Sequence, residues 1–293
     1  MKYFEKHPFL VITVGIIGIS MSAILIRFST APSAVSAAWR LVWTVIFMSP
    51  MVFGKGAVRR ELAHMDKKAA LTSVFSGIFL AVHFMLWFEA LQLTAVASAA
   101  TLVCTEVIWV SLGFRLFWKG QISGKAAMAI AVTLVGSALI ALADSGAGKS
   151  HLEGDLLAVL AAVASAVYML FGRSAQKKLT TTVYTYVVYV SCAAVLLALC
   201  LIQGHGLLEY GMDTLAIGAA LALFSTILGH SIFSWALKFF SPSFVSACKL
   251  LEPVGAGIMA AFLFGEIPAP AALLGAVMIL LGVWYYARIE QKG

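Results

Sequence analysis

Long apolar runs alternate along this chain with short charged connections. A membrane-crossing helix needs about 20 mostly apolar residues. The pattern predicts ten of them: Phe9–Phe28, Ser33–Phe53, Ala69–Leu93, Ala95–Phe117, Gly124–Ala143, Gly154–Gly172, Thr181–Gln203, Asp213–Leu237, Ser243–Phe264 and Ala271–Ala287. Barrel strands would show short alternating segments, and these runs are too long and too evenly apolar for that. The first run is not read as a cleaved signal peptide, because no small-residue cleavage site closes it and further runs follow. The expectation is an all-α integral membrane protein.

Composition agrees. The chain is 62% hydrophobic and 11% charged, whereas a soluble domain carries roughly a quarter charged residues. The formal charge of +7 does not point to nucleic acid, because the basic residues lie in short clusters between apolar runs. Lys2, Lys6, Lys55, Arg59, Arg60, Lys67, Lys68, Arg115, Lys119, Lys125, Arg173, Lys177, Lys178, Lys238, Arg288 and Lys292 fall on one side of the ten-span arrangement. Arg27 and Lys149 fall on the other, and Arg40 and Lys249 lie inside runs. The positive-inside rule then puts both termini in the cytoplasm, with the chain multi-pass in the cell inner (plasma) membrane. Cys104, Cys192, Cys200 and Cys248 all fall in apolar runs and form no CxxC or Cys/His spacing, so they read as buried thiols. No metal and no cofactor is expected.

Two glutamates, Glu106 and Glu252, lie deep in apolar runs. Each follows an Ala-Leu pair by the same spacing, Ala90-Leu91 and Ala236-Leu237, and the offset between them is 146 residues. The same offset pairs Arg27 with Arg173, Val42 with Val188, Leu134 with Leu280 and Gly136 with Gly282. The chain therefore reads as a duplication: residues 1–145, a linker at 146–153, and residues 154–293. Five spans per copy is an odd number, so the second copy crosses in the opposite sense. That is the inverted-topology repeat of many secondary transporters, whose sites lie near the midplane where the repeats meet.

The second copy carries Leu-Glu-Gly-Asp-Leu-Leu-Ala at 152–158, then Lys249-Leu-Leu-Glu252-Pro253, Phe264-Gly265-Glu266, Gly275 and Leu281-Gly282-Val283. This order resembles the EamA-type proteins of the drug/metabolite transporter superfamily over nearly the whole chain. It is also similar to the aromatic amino-acid exporters among them. The resemblance implies a ten-helix exporter with two inverted five-helix repeats around a central cavity. The first copy departs twice: Val107 follows Glu106 where Pro253 follows Glu252, and Lys119-Gly120-Gln121 stands in place of Gly265-Glu266-Ile267. Its turns are expected to differ accordingly.

An ionisable group inside an apolar span is costly and marks a functional candidate. Glu106 and Glu252 are read as a substrate or proton site, against a bracing hydrogen bond. Lys249, three residues before Glu252, is placed to neutralise it, and Pro253 frees a backbone carbonyl beside it. Glu252 and Pro253 are thus assigned to structure or coupling, and Glu106 and Lys249 to substrate binding. His83 with Trp87 one turn later, and His230 in the eighth span, suit a polar ligand group or a relay, against histidines satisfied by neighbouring carbonyls. Arg40 has three readings: snorkelling to the outer interface, which comes first, pairing with a glutamate such as Glu89, or binding a substrate carboxylate. Trp109 and Tyr168 offer flat faces with a polar edge, against ordinary packing. Gly15, Gly18, Ser20, Ser22, Gly255 and Gly257 are read as points of close helix approach.

Together these features point to a secondary transporter that exports a small metabolite, an amino acid with aromatic ones in view, by alternating access. Its partners would be the substrate, membrane lipids and protons as a coupling ion. Cationic amphiphiles or quaternary amines are the alternative cargo. An intramembrane enzyme lacks any Gly-x-Ser-x-Gly, His-Glu-x-x-His or Walker A sequence. A ligand-binding subunit that moves nothing is the remaining class.

Overall fold

A computed structural model describes residues 7–26, 28–93, 99, 102–144, 152–265 and 268–291. Arg27, Lys149, Glu266 and most of the expected linker lie outside the described residues. Every regular element among them is helical. The first copy contributes α1 (Pro8–Ile26), α2 (Ser33–Gly54), a short α3 (Gly56–Ala63), α4 (Lys67–Leu93), α5 (Glu106–Trp118) and α6 (Gly124–Asp144). The second contributes α7 (Leu152–Ala175), α8 (Thr181–Ile202), α9 (Gly211–Ala220), a π-helical segment (Leu221–His230), α10 (Ser231–Ala236), α11 (Pro242–Lys249), α12 (Glu252–Phe264) and α13 (Pro270–Glu290).

Eight described helices are long and apolar enough to cross a membrane, counting the runs Gly211–Ala236 and Pro242–Leu263 as one each. Gly124–Ile140 is a shorter apolar helix, and the expected span 95–117 overlaps residues 95–98 and 100–101, outside the described ones. Large apolar side chains such as Leu273, Leu274, Val277, Leu280 and Leu281 are exposed along α13. That suits a solvent that is itself apolar.

The expected spans around the two glutamates are not continuous helices. Both break in the same register: Cys104-Thr105 form a turn before α5, and Leu250-Leu251 form one before α12. The second break has an evident cause. Pro253 has no N–H to donate, and its ring excludes the carbonyl of Lys249 from helical geometry. The first copy lacks that proline and uses Thr105 instead. Its hydroxyl donates to the Leu102 carbonyl at 2.6 Å, and its N–H donates to the same oxygen at 3.1 Å. The turns differ in chemistry, as expected from Val107, yet coincide in position. The register recurs at the far ends of these half-helices, where Lys119 (φ 52°) and Gly265 (φ 68°) both adopt the left-handed C-cap.

The chain forms two compact units that do not follow the sequence halves. One comprises Met1–Met85 with Val167–Phe239, and the other Leu86–Ala166 with Phe240–Gly293. In the first, α1 packs against the π-helical segment through glycine. A methyl at Gly18 would come within 2.7 Å of the Phe224 carbonyl oxygen, and one at Gly15 within 2.8 Å of Ile232. Gly257, also read as a close-approach point, has open space around it instead. In the second unit, α6 and α13 meet backbone to backbone. A methyl at Gly136 would lie 2.6 Å from the Gly275 carbonyl oxygen, and one at Gly282 would lie 3.1 Å from that of Ala129. The 146-residue offset turns the first of these contacts into the second, so the two helices meet as a reciprocal pair.

Candidate functional site

The second unit holds a buried ion pair at its broken helices. Glu106 is the first residue of α5 and Lys249 the last of α11. The Lys249 ammonium donates to both carboxylate oxygens, at 2.9 Å to Oε1 and 2.6 Å to Oε2. Ser165, just past the middle of α7, donates to Oε2 at 2.8 Å, and its hydroxyl oxygen lies 3.4 Å from the ammonium. Glu106 is 7% exposed and Ser165 is fully buried. The breaks place each of the two groups at a helix end. A carboxylate at a helix N-terminus and an ammonium at a helix C-terminus each meet the favourable end of the macrodipole. Helices uninterrupted at these points would offer neither.

This pairing corrects the assignment of Lys249 to Glu252. The cation faces a glutamate 143 positions away rather than the one three residues on. Glu252 opens α12 and is half-buried, with Pro253 at the start of the same helix. Cys104, in the first break, lies within electrostatic reach of Glu252, Glu106 and Lys249. All three charged groups therefore gather around the two breaks of this unit.

Trp109 is one turn along α5 from Glu106, and its buried indole N–H has no acceptor among the described residues. Trp87 lies elsewhere in the same unit, packed on the small apolar cluster of Ala90, Ala99 and Ala158. Glu89 is exposed.

The first unit gathers the remaining candidates. Arg40 does not snorkel. It is 3% exposed, its Nε donates to Thr226 Oγ1 at 2.8 Å, and its guanidinium lies 4.7 Å from the centre of the Phe84 ring. The Thr226 hydroxyl lies 3.4 Å from the Leu221 carbonyl five residues back, within the π-helical segment. An intrahelical partner five residues distant is natural to that wider winding. Phe84 also carries His83, at 5.4 Å between ring centres, and His230, at 5.7 Å. Tyr168 completes the group 6.5 Å from His230, with its hydroxyl 2.9 Å from Ser234 Oγ. Hence Arg40, His83, His230 and Tyr168 assemble in one unit, and Glu106, Lys249, Trp109 and Glu252 in the other.

Three participants escaped the sequence reading. Ser165 and Thr226 carry no local signal, since a single hydroxyl in an apolar helix commonly bonds its own backbone. The π-helical winding of Leu221–His230 was read as ordinary helix. Among the described residues, no group of three or more His, Cys, Asp or Glu could hold a metal ion.

The family model described as the EamA-like transporter family matches this chain twice, over residues 7–142 and 152–288. The uncharacterized transporter YxxF of Bacillus subtilis is 22% identical over 246 residues, covering 83% of this chain and 78% of that protein. An uncharacterized transporter of Archaeoglobus fulgidus is 25% identical over 224 residues, covering 76% of this chain and 77% of that protein. One solved crystal structure superposes with a TM-score of 0.81 over 98% of both chains at 16% identity, a likeness of fold alone.

Proposed function

The chain belongs to the EamA-like transporter family and is a multi-pass membrane transporter; we propose that it exports an amino acid by alternating access. The family points to a transporter rather than an enzyme. One observation carries the choice of cargo: a carboxylate and an ammonium, Glu106 and Lys249, are buried together at two helix breaks. A zwitterionic amino acid presents the complementary charges, whereas a quaternary amine entering here would meet the Lys249 ammonium. Aromatic amino acids are the first to test, with Trp109 one turn from Glu106.

The wider architecture belongs to the same proposal. Ten spans arranged as two inverted five-helix repeats, 1–145 and 154–293, accord with the double family match and with the reciprocal packing of α6 on α13. Both termini lie in the cytoplasm by the positive-inside count, and protons are the coupling ion to test.

Flux in proteoliposomes loaded with amino acids, with and without an imposed pH gradient, tests cargo and coupling together. Export of aromatic amino acids that Glu106→Gln abolishes, at a folded yield reduced much less, supports the reading. Flux of a quaternary amine with no amino acid moved would overturn it.

A further inference from the structure

The ion pair raises a question of selectivity. Glu106 accepts from Lys249 on both oxygens and from Ser165 on one. The Lys249 ammonium has its donors on Glu106 and near Ser165. The pair is neutral as a whole and mutually satisfied. A buried charge deprived of its partner is heavily penalised, so any ligand that parts these groups must replace what each one loses.

We propose that the site admits only molecules carrying an ammonium and a carboxylate together, because binding exchanges the Glu106–Lys249 pair for two pairs with the ligand. This rests on the amino-acid reading above. Glu106 takes the ligand ammonium, Lys249 takes the ligand carboxylate, and Ser165 keeps Glu106 oriented through the exchange. All four charges remain paired. A ligand with one charge satisfies one side chain and strands the other, which is exclusion by an unpaired group rather than by size.

Two features make the exchange physically sound. Each group sits at its own helix end, Glu106 at the N-terminus of α5 and Lys249 at the C-terminus of α11, so each keeps a favourable helix dipole while partners change. The break at Leu250-Leu251 also leaves Lys249 at the end of a helical segment rather than within one, where the chain can adjust without breaking a continuous ladder. The two charges read only the main-chain part of an amino acid, so side-chain preference must be set by other residues.

The test uses the full-length protein in lipid nanodiscs and three ligands sharing one side chain: L-phenylalanine, its methyl ester and N-acetyl-L-phenylalanine, with matching leucine and threonine sets. Affinity is read from thermal stabilisation and from competition in proteoliposome flux. The expected result is that the ester and the N-acetyl compound each bind roughly thirtyfold or more weakly than the parent. An ester or N-acetyl compound that binds as tightly as its parent overturns the exchange while leaving amino-acid export standing. Failure of every amino acid to bind or move overturns both. Either single variant risks misfolding around a stranded charge, so Glu106→Gln with Lys249→Gln serves as the second probe. It strands no charge, and it should lose the discrimination between parent and ester. Retained discrimination in that folded double variant also overturns the proposal.

Discussion

Lys249 Nζ lies 2.6 Å from Glu106 Oε2, and the two residues are 15% and 9% exposed at their side chains. A pair this buried contributes little net stability over an apolar pair of the same shape, but removing one member leaves a charge without a partner. Lys249→Met alone should therefore destabilise the protein by about 3 kcal/mol. Combining it with Glu106→Gln should recover most of that loss. A double-mutant cycle on thermal or SDS-induced unfolding measures the coupling, and additive single effects would show that the pair is not coupled.

Gly136 and Gly275 meet so closely that neither has room for a side chain, since a methyl at Gly136 would lie 2.6 Å from the Gly275 carbonyl oxygen. The obstacle is backbone on a packed helix, which cannot swing aside as a flexible side chain can. Gly136→Leu should thus force α6 and α13 apart and sharply lower the yield of folded protein. Gly257→Ala, on α12 with open space around it, should leave yield unchanged. Size-exclusion profiles of the two variants give the comparison directly. Similar profiles would show that the close approach is dispensable.

Lys119 closes α5 with φ at 52°, whereas its register partner Gly265 closes α12 at 68°. The left-handed conformation costs a side-chain-bearing residue roughly 1–2 kcal/mol, and glycine adopts it without that cost. Part of the gain from glycine is offset by the greater freedom of its unfolded chain. Lys119→Gly should accordingly stabilise by about 0.5–1 kcal/mol, and Gly265→Lys should destabilise by a similar amount. The opposite sign at position 119 would mean that the lysine side chain makes a compensating contact. Melting temperatures of both variants decide the sign.

The helices were legible because a membrane helix needs a long apolar run whatever it packs against. Duplication was legible because the 146-residue offset survives in the glutamates and glycines. Pairing was less so. Lys249 looked local to Glu252, three residues on, since sequence displays neighbours along one helix and hides those 143 residues away. Pro253 announced one helix break, but the matching break at Cys104-Thr105 has no proline, and its turn rests on a threonine hydroxyl. Arg40 read as a snorkelling residue because arginine in an apolar run usually reaches for water. Its burial depends on Thr226, which the π-helical winding presents, and nothing in the run Leu221–His230 signals that winding.

Asp66, just before α4, accepts from the Lys178 ammonium at 3.0 Å and from the N–H of Ala69 at 3.2 Å. Lys178 first, then the Ala69 amide, hold its carboxyl below the ordinary value of 3.8. A carboxyl whose folded value is depressed favours the folded state fully above the unfolded value, and the contribution fades as pH falls through the folded one. The Asp66–Lys178 contact should therefore stay intact at neutral pH and be lost only below about pH 4. Both side chains are largely exposed, at 49% and 60%, so screening by salt keeps the effect small. Asp66→Asn should lower stability slightly at pH 7, and the gap should shrink as the pH falls below the ordinary carboxyl value of 3.8 and on through the depressed native one, where the native carboxyl takes up its proton. Melting temperatures of both proteins across that range give the measurement, and a gap that persists unchanged into acid would assign the role of Asp66 to the Ala69 cap rather than to its charge.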